Sequence, residues 1–277
     1  GKVTARYDFT DHFAIRGAVS SGFRAPSLQQ AFFTSTASVF VAPNVIETGT
    51  FPATSLVART LGAQPLEPEE AVNYSLGAVF QLGDFDLTID AYRIEISDQI
   101  VLSENISRAF SPQVAGLLDP LGISAARFFI NGVESKTQGI DIVGRYQLDA
   151  GGAGDFDFVA AINFNDVSVT RVPTSLSALS PTPPLLGRNR ILTIEEGTPS
   201  EKAVLSVDWE LGDFAATARA SYYGDVLQPG GTPAADFSTG EHTLFDLEGR
   251  YQLSQNIGFS LGVDNLFDEY PDEVPAA

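Results

Sequence analysis

Apolar and polar residues alternate along this chain in runs of about ten, each closed by a turn, and a period of two is that of a β-strand. From Ala203 to Leu211, the residues Ala203, Leu205, Val207, Trp209 and Leu211 form one face, and Val204, Ser206, Asp208 and Glu210 form the other. The same split separates Phe156, Phe158, Ala160, Ile162 and Phe164 from Asp157, Val159, Ala161, Asn163 and Asn165. It recurs where Thr243, Phe245, Leu247, Gly249, Tyr251 and Leu253 alternate with Leu244, Asp246, Glu248, Arg250 and Gln252. The rule predicts about ten strands, over 2–9, 13–24, 71–82, 85–97, 127–148, 155–169, 202–211, 213–223, 242–253 and 256–264.

The connectors are alternately very short and very long. The short ones, at Thr10 to His12, Gly83-Asp84, Asp149 to Gly154, Gly212-Asp213 and Ser254 to Asn256, are hairpin turns of Gly, Asp, Asn or Ser. The long ones, 25–70, 98–126, 170–201 and 224–241, are rich in Pro, Ser, Thr, Ala and Gly. One trimmed end and one elaborated end is the layout of a transmembrane β-barrel, and a soluble sandwich has no reason to enforce it. Aromatic pairs flank every short turn: Phe9 and Phe13, Phe80 and Phe85, Tyr146 and Phe156, Trp209 and Phe214, Tyr251 and Phe259. Rings at a membrane interface rest their apolar body in lipid and their polar edge in water, so these pairs read as a girdle.

If the apolar face meets lipid, the other face lines a lumen. The predicted lumen residues include Arg16, Arg24, Asp90, Asp141, Arg145, Asp208, Arg219, Asp246 and Arg250, with Arg6, Asp86, Asp157, Glu210 and Glu248 on the same face. A charge on the lipid face costs about 2–4 kcal/mol at the bilayer midplane, so segregation is a physical requirement of this reading.

Composition narrows the alternatives. Charged residues are 18% of the 277, and 25 Gly with 16 Pro punctuate many short elements. No stretch approaches the roughly 18 apolar residues of a membrane helix, so a membrane span is made of strands. Cysteine is absent, which removes disulfides and thiolate metal sites. A net charge of −19 with scattered cations argues against nucleic-acid binding.

Four segments then carry a family resemblance: GFRAPS at Gly22 to Ser27, LEPEEAVNYSLGAVF at Leu66 to Phe80, TQGIDIVGRYQL at Thr137 to Leu148, and GVDNLFDEYP at Gly262 to Pro271. Together, and in this order, they resemble TonB-dependent outer-membrane receptors. The resemblance implies an all-β fold, an antiparallel transmembrane β-barrel with short periplasmic turns and long extracellular loops. This chain would supply about ten of about 22 strands. It implies a plug inside the barrel and an N-terminal box pulled by an inner-membrane energy-transducing complex, the TonB partner. It also implies a small-molecule substrate of the siderophore, haem, cobalamin or saccharide class, outer-membrane lipid as surroundings, and no cofactor. Residues 1–277 are then expected to be the C-terminal portion of the barrel domain, with plug, first half and closing strand outside the sequence.

Catalytic sets are thin. Asp236 with His242 is the nearest candidate for the rim dyad of a ten-stranded outer-membrane protease. GGAG at Gly151 to Gly154 sits in a hairpin and lacks the following helix of a phosphate cradle. Glu67, Glu69, Glu70 and Glu195, Glu196 lack calcium-loop spacing. The expectation is a receptor rather than an enzyme; the alternative is a structural or adhesive β-barrel or β-sandwich. Phe32, Phe33, Phe40 and Phe51 in the longest connector form a candidate cluster for an apolar or ring-bearing ligand.

Overall fold

Alternation becomes pairing wherever two runs meet across a tight turn, because each strand then satisfies its backbone groups on its neighbour while keeping one face apolar. The computed structural model describes residues 1–41 and 44–273. In chain order these form β1 (Lys2–Thr10), β2 (Phe13–Arg24), α1 (Leu28–Phe32), β3 (Ser35–Val41), β4 (Asn44–Phe51), α2 (Leu56–Thr60) and β5 (Glu69–Leu82). There follow β6 (Phe85–Leu102), β7 (Ile106–Ser107), α3 (Pro112–Leu118), β8 (Ala125–Asp149), β9 (Asp155–Arg171) and α4 (Arg188–Glu195). The last are β10 (Glu201–Leu211), β11 (Phe214–Tyr223), β12 (Leu227–Gln228), β13 (Phe237–Ser238), β14 (His242–Ser254) and β15 (Ile257–Val263).

The ten long strands follow one another in a single antiparallel meander, β1-β2-β5-β6-β8-β9-β10-β11-β14-β15. All ten predicted strands are present. β6 and β8 run further than the alternation reached, to Leu102 and from Ala125. Among the described residues β1 pairs with β2 alone and β15 with β14 alone, so the sheet is an open wall.

Register keeps the two faces apart across the whole wall. One row runs Phe85, Tyr146, Phe158, Val207, Ala218, Leu247, Val263, each directly opposite the next. A row on the other face runs Gln147, Asp157, Asp208, Thr217, Glu248. The apolar face is bare: Leu261 is 84% exposed, Phe23 79% and Leu76 62%. A soluble domain does not leave a continuous apolar sheet face uncovered, since burial is worth about 25 cal/mol per Å². The apolar face gives way to Arg93 and Glu95 on β6, Lys136 and Gln138 on β8, and Asp166 on β9, which marks the end of the lipid-facing band.

The dry core lies in the long connectors. Expected only as loops, they carry β3, β4, β7, β12, β13 and the four helices, and the first three of them pack into a cap at one end of the wall through α2, α3, Leu185 and Leu186. β4 pairs in parallel with the start of β8, Thr48–Phe51 against Ala125–Phe128. Phe128, Leu61, Val114 and Leu118 are fully buried there, with Leu185 and Leu186 from the third long connector packed among them. Three of the four helices start at serines. Ser27 accepts from Gln30 N while Gln30 Oε1 accepts from Ser27 N, a complete capping box, and Ser55 and Ser111 cap α2 and α3.

Gly139, from the third family-like segment, has a packing reason. A Cβ there would lie 2.4 Å from the Phe164 carbonyl oxygen and 2.5 Å from Tyr92 Oη. The Tyr92 ring lies over this glycine, and its hydroxyl accepts from Asn163 Nδ2 at 3.1 Å. Gly139→Ala is expected to lower unfolding free energy by about 1–3 kcal/mol, as overpacking does. Gly249→Ala, with nothing within 4 Å of the new Cβ, should shift it by less than about 0.5 kcal/mol. Chemical denaturation of the two variants of the full-length protein in micelles makes the comparison.

Candidate functional site

Two regions hold the chemistry: the charged face of the wall and the cap. On the wall, ion pairs reach across intervening strands. Arg16 on β2 donates its Nε to Asp90 Oδ1 on β6 at 3.0 Å, over Gly77 of β5. A side chain at position 77 would collide with the Asp90 carboxylate, so the glycine lets the pair lie flat. Arg145 donates to Asp157 at 2.8 Å. Arg250 reaches Thr217 at 3.1 Å and stands 3.8 Å from Asp208 and 3.6 Å from Glu248. Asp141 accepts from Asn163 Nδ2 at 2.6 Å, extending the network to Tyr92 and Asn165. Arg219 lies directly opposite Asp246, whose Oδ1 accepts from Asn265 N at 2.9 Å. Arg24 makes a bidentate pair with Glu69, 2.6 and 2.7 Å, and Glu69 also accepts from Ile100 N at 2.7 Å. All nine residues proposed from the sequence share this face, and each of them touches or directly faces an oppositely charged or amide partner on a different strand.

The loop aromatics do not gather into one surface. The Phe51 ring lies over Gly49 and packs against the cap core, whereas Phe32 and Phe33 at the end of α1 are exposed. Phe40 pairs through its backbone with Val45, and its side chain lies outside the described residues.

The dyad weighed from the sequence is not brought together. Asp236 is turned to Arg188, 3.0 Å from Nη1, and to Gly230 N at 2.9 Å, while His242 stacks on Tyr223 at 5.3 Å between centroids. The Arg188 guanidinium, aided by the Gly230 N–H, holds the Asp236 carboxyl below its ordinary range. Of the acidic groups weighed as cation sites, Glu69 is committed to Arg24, and Glu195 accepts from Val169 N. Among the described residues no group of three or more His, Asp or Glu side chains could hold a metal ion. The 149–155 turn closes by Ala150 N to Gly154 O at 3.0 Å, with Gly151 and Gly154 at φ +58° and +91°, and Trp209 Nε1 donates to Ala153 O.

Sequence reasoning missed the arginines of the cap. Arg127 at the start of β8 is half-buried, donates its Nε to Thr50 Oγ1 at 3.0 Å and has no carboxylate beside it among the described residues. Burial, and then the like charge of Arg190 on α4, hold its guanidinium below the ordinary range. A cation inside an otherwise apolar stretch, AARFFI, was the available signal.

A wall with one bare apolar face, one ion-paired face, short turns at one edge and a packed cap at the other defines an outer-membrane β-barrel. The chain belongs to the TonB-dependent receptors: the family model described as "TonB dependent receptor-like, beta-barrel" matches residues 1–266. This is a family of outer-membrane receptors and transporters rather than of enzymes. Among solved structures the chain is similar to the copper transporter OprC, at 17% identity and TM-score 0.62, covering 97% of this chain and 33% of that one. It is similar to a mutant of the ferric enterobactin receptor PfeA from Pseudomonas aeruginosa in complex with enterobactin, at 16% identity and TM-score 0.62, covering 97% and 35%. It is also similar to the siderophore receptor PirA from Pseudomonas aeruginosa, at 13% identity and TM-score 0.61, covering 97% and 39%. The chain thus spans a third or somewhat more of the length of these structures. No curated protein matches it at a significant level.

Proposed function

We propose that this chain is part of the barrel domain of a receptor that takes up a scarce solute across the outer membrane by TonB-coupled active transport. In this reading it is the C-terminal portion of the barrel, and further strands, a plug and a TonB box complete the protein. Its edges support that reading: unpaired N–H and C=O groups along β1 and β15 would be costly in hydrocarbon, so neighbouring strands must cover them. The ion-paired face then lines the lumen, with Arg16, Arg24, Asp90, Asp141, Arg145, Asp208, Arg219, Asp246 and Arg250 on its wall. The cap sits over the lumen mouth, where exposed Phe32 and Phe33 present rings to an arriving solute.

The observation that carries the proposal is the family match over residues 1–266 on a wall with this two-faced register. The solute belongs to the siderophore, haem, cobalamin or saccharide class. A deletion strain grown on single iron, cobalamin or sugar sources should fail on one of them and recover with the full gene. Recovery should be lost when the inner-membrane energy transducer is removed. Unimpaired growth on every source, or uptake indifferent to the transducer, contradicts the proposal.

A further inference from the structure

The last long connector, 224–241, stands apart from the other three. The apolar core of the cap draws on those three and on β6, β8 and β9, and among the described residues it takes none from 224–241. Within itself the segment is well tied. β12 and β13 form a neck, with Leu227 opposite Ser238 and Gln228 opposite Phe237. Val226 N donates to Thr239 Oγ1 at 3.1 Å, Thr239 N to Val226 O at 3.0 Å, and Ser238 Oγ to Asp225 Oδ2 at 2.8 Å. At the tip Asp236 Oδ1 accepts from Gly230 N at 2.9 Å, and a Cβ on Gly230 would lie 2.2 Å from the Ala235 carbonyl oxygen, so the turn is closed on itself. A hairpin tied in this way moves as one body.

Its ties to the rest of the molecule are few. Each strand of the neck is pinned by one backbone bond, Leu227 N to Glu196 O at 3.0 Å and Asp272 N to Thr239 O at 2.9 Å. Gly240, beside the second pin, holds φ +70°, a conformation open to glycine. Beyond the neck, in 229–236, the hydrogen bonds to other described parts of the chain run only from Arg188 of α4 to Asp236: Nη1 to Oδ1 at 3.0 Å, and Nη2 to Oδ2. α4 itself is fixed. Gly187 N at its head donates to Glu104 Oε2 at 3.1 Å, Ile191 packs on the cap core, and Glu195 Oε1 accepts from Val169 N at 2.8 Å. Residues 231–235 are exposed. An element with few buried apolar contacts and solvent-exposed bonds opens at a small fraction of the global unfolding free energy.

The feet of the hairpin stand on the lumen side of the wall. Tyr223 and His242 stack at 5.3 Å between centroids, and Lys202 Nζ lies 4.8 Å from the Tyr223 ring centre. Tyr223 is directly opposite Lys202, Lys202 opposite Asn163, and Asn163 opposite Asp141, so all belong to one lumen row.

We propose that 224–241 is a flap at the lumen mouth that pivots about its neck, with Arg188–Asp236 as the latch that holds it down on α4. As a control on solute entry it rests on the transport reading above; the motion itself is independent of transport.

The test uses the full-length receptor in vesicles, with spin labels on Gly231→Cys at the tip and Arg59→Cys on α2 and the distance between them read by double electron–electron resonance. A Cβ at 231 meets nothing within 4 Å, so the label is tolerated. Asp236→Asn and Arg188→Gln should each raise the fraction at a second distance about fivefold, as expected for loss of a half-exposed, forked ion pair. Arg188→Lys, which keeps the charge and loses the fork, should fall between. A reference pair on Arg59→Cys and Leu121→Cys, both in the cap, should not change. Distances unaltered in both Asp236→Asn and Arg188→Gln overturn the latch, and equal broadening of the reference pair overturns the flap as a separate body. Cysteines replacing Arg188 and Asp236, bridged by a reducible linker, should slow uptake about fivefold and release it on reduction; uptake indifferent to the bridge overturns the control on entry. A flap that opens as expected in a receptor without transducer-dependent uptake would sink the transport reading and leave the flap standing.

Discussion

Leu205→Arg in the full-length receptor should weaken folding into lipid vesicles by about 2–4 kcal/mol, while Val204→Arg, one residue away, should cost less than about 1 kcal/mol. Both residues lie in β10 and both variants add the same charge. They differ in face. Leu205 is 52% exposed on the apolar side, directly opposite Ala160 and Ala220, so its new guanidinium would sit in acyl chains. Val204 lies on the ion-paired side, opposite Ala161 and Ser221, small neighbours that leave room for a long side chain next to water. Urea titrations of folding into vesicles measure the two differences. Equal costs would mean that the faces are not what the register makes them.

The second large effect belongs to the cap. Phe128 is fully buried, the largest such side chain in the molecule's described part, and Phe128→Ala should cost the cap about 3–5 kcal/mol. Because the core of the cap is separate from the bare apolar face of the wall, the loss is local. The barrel should still insert, while hydrogen exchange quickens over 106–123 and at Leu185 and Leu186, which share the Phe128 cluster. Solute binding should fall with it. A variant that fails to insert, or exchange that quickens evenly through β9 and β10, would contradict the division of wall from cap.

How much of this was legible depends on what each element leans on. The wall strands could be read because one side of each meets a uniform apolar medium, which imposes a strict period of two; Ala203 to Leu211 needs no knowledge of its neighbours. The alternation stops short of the cap ends of β6 and β8 because there the medium changes, and Ile130 and Val133 are buried in a cluster with loop residues such as Leu61 and Leu185. The cap is not legible from the alternation, though three helices of the long connectors announce themselves locally: Ser27 with Gln30 three residues on, Ser55, and Ser111 before Pro112. What no local rule supplies is their mutual packing, or the parallel seating of β4 on β8 at a separation of 77 residues between Thr50 and Arg127.

The candidate site divides the same way. The charges of the wall were placed on one face by parity alone, yet the pairing of Arg16 with Asp90 across Gly77 depends on a strand register that only the folded sheet fixes. The four phenylalanines of the long connector were grouped by proximity in sequence; folding sends Phe51 into the cap core and leaves Phe32 and Phe33 outside. Arg127 escaped notice because a lone cation in an apolar run carries meaning only once the seating of β4 on β8 sets Thr50 beside it.

The central claim is tested most directly by spin labels placed one at a time from Ala203 to Leu211 in the vesicle-inserted receptor, with collision by oxygen compared against collision by a water-soluble nickel chelate. Oxygen, which partitions into lipid, should dominate at Ala203, Leu205, Val207, Trp209 and Leu211, and the chelate at Val204, Ser206, Asp208 and Glu210. Accessibilities that do not alternate, or that alternate with Asp208 and Glu210 in lipid, would contradict it.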